Sequence, residues 1–194
     1  KRFHLALAVA VLSIATVICT AMIYASLKPI PAWRHAYVVP VYLLFALLTG
    51  GVLGAVITAM QSGNISEYLI FGFILMASLL GVLKKRYWKA IDSQVLPSRA
   101  SALGLKPEQV VSVFERPHTE ANYLTTEMGF VLARKHSRKL RMVGLVSFMW
   151  LPIFFCIVAL MLPQGFTGYL MLSAVLFAYT GAVVERWLFF AEAK

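Results

Sequence analysis

The sequence predicts an all-α integral membrane protein, a bundle of five transmembrane helices with a long amphipathic cytoplasmic connector. Three observations carry this. Of 194 residues, 60% are hydrophobic and only 13% are charged, where a soluble domain carries about a quarter. Mean hydropathy is +0.79. The apolar residues fall in long uncharged runs, whereas residues 84–141 hold 12 of the 18 basic and 5 of the 8 acidic side chains. This composition excludes a disordered chain. With no Gly-X-Y period and only two cysteines, it also excludes a fibrous or disulfide-built one.

A spanning helix needs about 20 apolar residues. The run from Phe3 to Leu27 predicts the first helix over 4–27. The prolines of Lys28-Pro-Ile-Pro-Ala-Trp-Arg34 end it, since proline cannot continue a helix. Trp33 suits the headgroup layer. The second helix is expected over 36–60 and the third over 65–83, with Asn64 and Glu67 as a capping box. Lys84, Lys85 and Arg86 are read as snorkelling from the end of the third helix. Tyr87 and Trp88 are read as interfacial aromatics.

Residues 84–141 are read as one basic, partly helical connector. The third helix extends toward Gln94, and Pro97 to Gly104 is loop. A short amphipathic helix follows from Pro107 to Phe114. Thr119 caps a long helix that passes Asn122, Met128 and Arg138 on its way into the membrane. Met142 to Val184 is uncharged and too long for one span, and Pro163-Gln164-Gly165 divides it. The last two helices are therefore expected over 142–162 and 166–190. The chain divides into 1–83, the connector 84–141, and 142–194. It opens on Lys1-Arg2 directly before an apolar run, without Met, and is read as trimmed or part of a longer chain.

The net charge is +10. Lysine and arginine in a membrane protein mark cytoplasmic loops, so this charge points to membrane topology and not to nucleic acid. Cys19 and Cys156 lie inside apolar runs and read as small packed hydrophobes. A bis-His haem needs two histidines within facing helices. Of His4, His35, His118 and His136, only His4 lies in a span, at its end. The sequence lacks Cys-x-x-Cys, His-Glu-x-x-His, Ser-x-x-Lys, Gly-x-Ser-x-Gly and phosphate-loop patterns. No haem or metal is expected on this segment. Gly50-Gly51-Val-Leu-Gly54 lies mid-span, where small residues serve close helix packing or leave room for a flat ligand.

Charges at the ends of spans are costly in lipid and are the better guide to function. Glu185 and Arg186 either anchor the last helix beside Trp187 or line a quinone or proton path. As neighbours they point in different directions and need not pair. Tyr24 is either an interfacial aromatic or a phenol that donates to a quinone carbonyl. Arg34 and His35 beside Trp33 face a headgroup, a quinone or a partner. Glu115-Arg116-Pro117-His118-Thr119-Glu120 mixes both signs, which suits protein docking as well as a solvated helix.

Several segments resemble one family. Tyr24, Pro31-Ala-Trp33, Pro40 and Gly50-Gly51-Val-Leu-Gly54 resemble the fourth and fifth helices of the membrane anchor subunit of the dimethyl sulfoxide reductase family of molybdenum oxidoreductases. Five further segments resemble the sulfite dehydrogenase branch of those anchors. They are Arg86-Tyr-Trp-Lys-Ala-Ile-Asp92, Phe114-Glu-Arg-Pro-His-Thr-Glu-Ala-Asn-Tyr-Leu124, Glu127-Met-Gly-Phe130, Ala133-Arg-Lys-His136 and Glu185-Arg-Trp-Leu-Phe-Phe-Ala-Glu-Ala-Lys194. The resemblance implies helices four to eight of an eight-helix anchor without haem. It also implies partner subunits carrying iron–sulfur clusters and molybdopterin.

The function expected on this basis is electron passage between the iron–sulfur subunit and membrane quinone, in sulfite oxidation, at a bacterial inner membrane. Quinone would be an exchangeable substrate, and the chain alone would not be an enzyme. Tyr24, Arg34, His35, Glu185 and Arg186 are the candidate quinone residues. Lys28, Trp33, Arg116, His118 and Glu120 are the candidate docking residues. Two alternatives are a purely structural anchor and a transporter fragment. Transporters place polar groups at mid-depth, where this sequence is apolar or small.

Overall fold

A computed structural model describes residues 2–62, 65–94, 98–106, 109–112, 114 and 130–193, the side chains of residues 62, 99 and 164 excepted. The described residues form helices joined by turns, and five helices are long and apolar enough to cross a membrane. They are α1 (Arg2–Ala25), α2 (Val38–Ser62), α3 (Glu67–Asp92), the kinked span Ser137–Met161, and the last helix, Thr167–Ala191. A single short turn of helix, α4 (Arg99–Ala102), lies in the connector. Gly104 follows it with φ +68, which glycine adopts without strain.

The loop between α1 and α2 is a run of tight turns, with Ile30 N–H donating to the Leu27 carbonyl and Trp33 N–H to that of Ile30. Pro40 falls in the first turn of α2, where its missing N–H costs nothing. Ser66 is the residue before α3, and its side chain makes no capping bond. Glu67 is then the first helical residue; Asn64, its expected partner in a capping box, lies outside the described residues. α3 runs without interruption to Asp92, about two turns beyond the apolar run.

The structure corrects the described part, residues 130–138, of the expected helix from Thr119 to Arg138. Residues 119–129 lie outside the described residues. Phe130 has φ +48, a left-handed backbone that ends any right-handed helix arriving there. Helix starts anew as α5 (Val131–Lys135), breaks at His136, and resumes as α6 (Ser137–Leu145). The expected helix from Pro107 to Phe114 is also absent over residues 109–112 and 114, which are not helical.

α6 continues through a π-helical turn, Val146–Trp150, into α7 (Leu151–Met161). Pro152 accounts for the wider turn, because its ring would clash with the carbonyl four residues back, that of Phe148. The bulge pushes Phe148 against Gly181 of α8 (Thr167–Ala191). A Cβ on Gly181 would meet the Phe148 backbone nitrogen at 2.5 Å. Met149 likewise fills the space beside Gly81.

α8 occupies the centre and packs against α2, α5, α6, the π-turn and α7; α3 packs on α2 and α7. Beside flanking buried residues (Val175, Phe189 and Ala191 in α8, Gly81 and Trp88 in α3, Val38 and Val56 in α2), three helices carry buried residues that step alternately by three and four. In α8 they are Thr167, Met171, Ala174, Ala178, Gly181, Glu185 and Leu188. In α3 they are Ile70, Phe73, Ala77, Leu80, Lys84 and Tyr87. In α2 they are Val41, Phe45, Leu48, Val52, Ala55 and Ala59. This 3.5-residue repeat is the spacing of residues along a helix–helix seam. α1 is different: Ala21 alone is buried, and it packs on α2.

Candidate functional site

One end of the bundle gathers the α1–α2 loop, the end of α3, the start of α6 and the end of α8. Trp33 Nε1–H donates to the Phe189 carbonyl at 2.9 Å, and Tyr87 O–H donates to the Ala32 carbonyl at 3.1 Å. Arg134 Nε–H donates to the Ala191 carbonyl at 2.8 Å. Five crossings require these segments to share a side, and the contacts agree.

The seams of α3 and α8 place two charges inside this end. Lys84 and Glu185 are each 2% exposed, and Lys84 Nζ is ion-paired to Glu185 Oε1. This corrects the reading of Lys84 as a snorkelling lysine. Its position in the 3.5-residue seam points it inward, away from lipid headgroups. The ammonium also lies over two rings of its own helix, 4.3 Å from the centre of Tyr87 and 5.0 Å from that of Trp88.

Arg186, one residue on, points elsewhere. Its guanidinium stacks on Tyr42 at 3.8 Å and lies 5.0 Å from the centre of the Phe189 ring. The Nη1 atom is buried and has no hydrogen-bond partner among the described residues. A buried unsatisfied donor costs about 1–3 kcal/mol, more when charged. It lines a recess with Tyr37, Val38, Val41, Tyr42, Lys84, Tyr87, Glu185 and Phe189. The recess is small, about 10 Å³, with room for one water.

An aromatic wall backs this recess. Tyr24 stands edge-on to Trp33 at 5.3 Å and to Phe189 and Phe190 at 5.5 Å each, and Trp33 stacks on Phe189 at 5.6 Å. Tyr24 thus packs one ring away from Arg186, through Tyr42 at 6.1 Å. His35 is half-buried: its Nδ1 accepts from the Tyr37 N–H at 3.2 Å, and its ring meets the Tyr87 ring edge-on at 5.6 Å. Burial holds its pKa below the usual value for histidine. Arg34 and Lys28 are exposed and lie outside the recess. Trp33 is packed inside the wall. Arg116, His118 and Glu120 lie outside the described residues.

A second, polar layer lies nearer the surface. Arg141 donates to both oxygens of Asp92, at 2.6 and 2.9 Å, and through Nε to Glu192 Oε1 at 2.8 Å. With Arg134, Gln94 and Ser137 these groups line a cleft of about 430 Å³. Burial raises the Glu192 pKa above the usual carboxylate value, against the opposing pull of Arg141 and then Lys84. Among the described residues, no three His, Cys, Asp or Glu side chains gather as metal ligands.

Sequence reasoning chose Tyr24, Glu185 and Arg186 but missed Lys84, Tyr42, Asp92, Arg141 and Glu192. The signal for Lys84 was its register with Ile70, Phe73, Ala77 and Leu80. Glu192 continues the α8 seam one heptad after Glu185. No sequence period points to Tyr42, since its partner lies on another helix.

The chain matches the family of the DMSO reductase anchor subunit (DmsC) over residues 2–191. It is also similar to a sulfite dehydrogenase subunit of Allochromatium vinosum, at 26% identity over 187 residues. That match covers 94% of this chain and 55% of the relative, so the chain spans about half the relative's length. No solved structure matches. The family match covers nearly the whole chain: it belongs to the DMSO reductase anchor subunit family and is a multi-pass membrane protein.

Proposed function

We propose that this member of the anchor family exchanges electrons between a docked iron–sulfur subunit and membrane quinone at the Arg186 recess. The observation that carries this is Arg186 Nη1, a buried cationic donor without an acceptor among the described residues. A quinone carbonyl supplies an acceptor and a flat ring. The ring would rest at the mouth of the recess against Tyr42 and Phe189, because the recess itself has room for only one water. Glu185 and Lys84 fix the polarity behind it. Tyr24 and His35 act through Tyr42, Tyr37 and Tyr87, and Arg34 stands outside.

The iron–sulfur subunit would dock on exposed Lys28 and Arg34 and on the connector around Arg116, His118 and Glu120. The molybdopterin subunit would join through it, with sulfite the reductant, as in the relative's name. The connector holds 12 basic residues, and Lys28, Arg34 and Lys194 share its side. Positive loops stay in the cytoplasm, so this side, the C-terminus and the partner subunits are assigned to the cytoplasmic face of a bacterial inner membrane.

The test is quinone turnover by the purified complex carrying Arg186→Met. The subunits should remain together while turnover falls by roughly 100-fold, the scale of removing one positioned donor. Unchanged turnover and KM would remove quinone from this recess. The narrow enclosed volume favours a second reading, a purely structural anchor. It predicts equal quinone turnover with and without this chain.

A further inference from the structure

We infer that the protons of the quinone reaction enter and leave through the connector-end cleft, with Glu192 as the carboxylate that collects them and the Lys84–Glu185 pair as the inner relay. The inference rests on the quinone reading above and adds the side and the residues of proton transfer. Three placements carry it. Glu192 lines the polar cleft of about 430 Å³, its side chain 12% exposed. Glu185 precedes it by seven residues; Glu192 caps the C-terminal end of α8, its backbone about 10 Å further along the axis on the same face. Lys84 joins the levels: its ammonium is paired to Glu185, and it feels the charge of Glu192.

The groups facing Glu192 are Arg141 on α6, Asp92 and Lys84 on α3, and Arg134 on α5, which grips the adjacent Ala191 carbonyl. Arg141 is shared between Glu192 and Asp92, so protonation of Glu192 leaves the arginine a second carboxylate. Burial already favours the protonated form of Glu192. A proton taken from cleft water by Glu192 passes to the Glu185–Lys84 pair and then to the quinone oxygen held by Arg186. Two such transfers with two electrons from the partner's iron–sulfur cluster convert quinone to quinol. Quinol oxidation runs the same steps backward, releasing two protons to the cleft and two electrons to the cluster.

The reconstituted complex tests this with a short-chain quinone. Glu192→Gln should lower turnover by roughly 100-fold at pH 8, approach the unmodified rate near pH 5.5, and recover at pH 8 with added acetic acid. Glu67→Gln, at the far end of α3, is the control. Superimposable pH profiles for Glu192→Gln and the unmodified complex would overturn the route while leaving the quinone reading intact. Absence of any quinone turnover in the unmodified complex would instead overturn that reading. Should Glu192→Gln fail to assemble, the unmodified complex in vesicles decides. With a viologen radical as electron donor in place of sulfite, whose oxidation would itself release two protons, an impermeant pH indicator should register proton uptake on the connector side, and uptake on the opposite side rejects the route.

Discussion

α1 and α8 are nearly the same length, 24 and 25 residues, and both are apolar. One buries a single alanine, while the other forms the centre of the bundle. Leu5, Val9, Leu12, Ile14 and Ile18 of α1 are all exposed. α1 has small residues too, but Ala6, Ala8, Ala10 and Ala15 are exposed; the difference lies in where the small residues face and in the buried charge of Glu185. α8 sets Ala174, Ala178 and Gly181 along its seam, so other backbones approach closely. Lipid is as apolar as leucine, so greasy residues alone bring no helices together. Within the residues present, hydropathy locates both spans, and the inward-facing Gly181 and Glu185 mark the one with close neighbours.

Removing the α3 charge that pairs with the α8 seam tests this most severely. Lys84→Met leaves Glu185 buried without a partner, which should cost about 3–5 kcal/mol of unfolding free energy in bicelles. Adding Glu185→Leu should return much of that loss. A loss in the double variant equal to that in Lys84→Met would mean that the pair is not the cause. Next comes the seam's closest approach. Gly181→Ala pushes a methyl into the Phe148 backbone and should cost about 1–3 kcal/mol. Gly81→Ala meets only the flexible side chain of Met149, and should cost less than about 1 kcal/mol. Equal costs at the two glycines would refute the backbone contact.

At the boundary between the two helices, Tyr24→Ala should cost about 1 kcal/mol, the scale of a lost aromatic pair. A spin label at position 18 should then gain mobility as α1 loosens. Mid-helix changes such as Val9→Ala should stay within about 0.5 kcal/mol; a cost like that at Gly181 would show that another surface packs on α1. The smallest effect concerns pH. The lowered pKa of His35 makes the unfolded chain bind the proton more tightly. Stability should therefore fall as pH drops below about 6.5, and His35→Gln should flatten that slope.

The five spans were legible because each is a long uncharged run, and hydropathy does not depend on neighbours. The loop prolines marked the end of α1 for the same local reason. The site was less legible. Lys84 follows an apolar run and precedes Lys85 and Arg86, the pattern of a snorkelling end; the seam register separates it from them. The π-turn interrupts the helix expected over 142–162; Pro152 was its local signal and was missed, and the close approach it makes to Gly181 depends on another helix. Phe130 gives no warning, since a left-handed phenylalanine is set by surroundings and not by preference. Arg186 was chosen for its cost in lipid, yet its stacking on Tyr42 needed the fold.

Arg186 lies five residues before the end of α8, about 8 Å along the axis. Against a hydrocarbon thickness of about 30 Å, that is roughly a quarter of the way across. A unit charge crossing the whole membrane does about 2.3 kcal/mol of work per 100 mV; one moving between Arg186 and the connector-end surface does about a quarter of that. On the function proposed above, and with the end of α8 at the hydrocarbon edge, membrane voltage would have little leverage on turnover at the recess, which would neither draw much on that voltage nor add much to it.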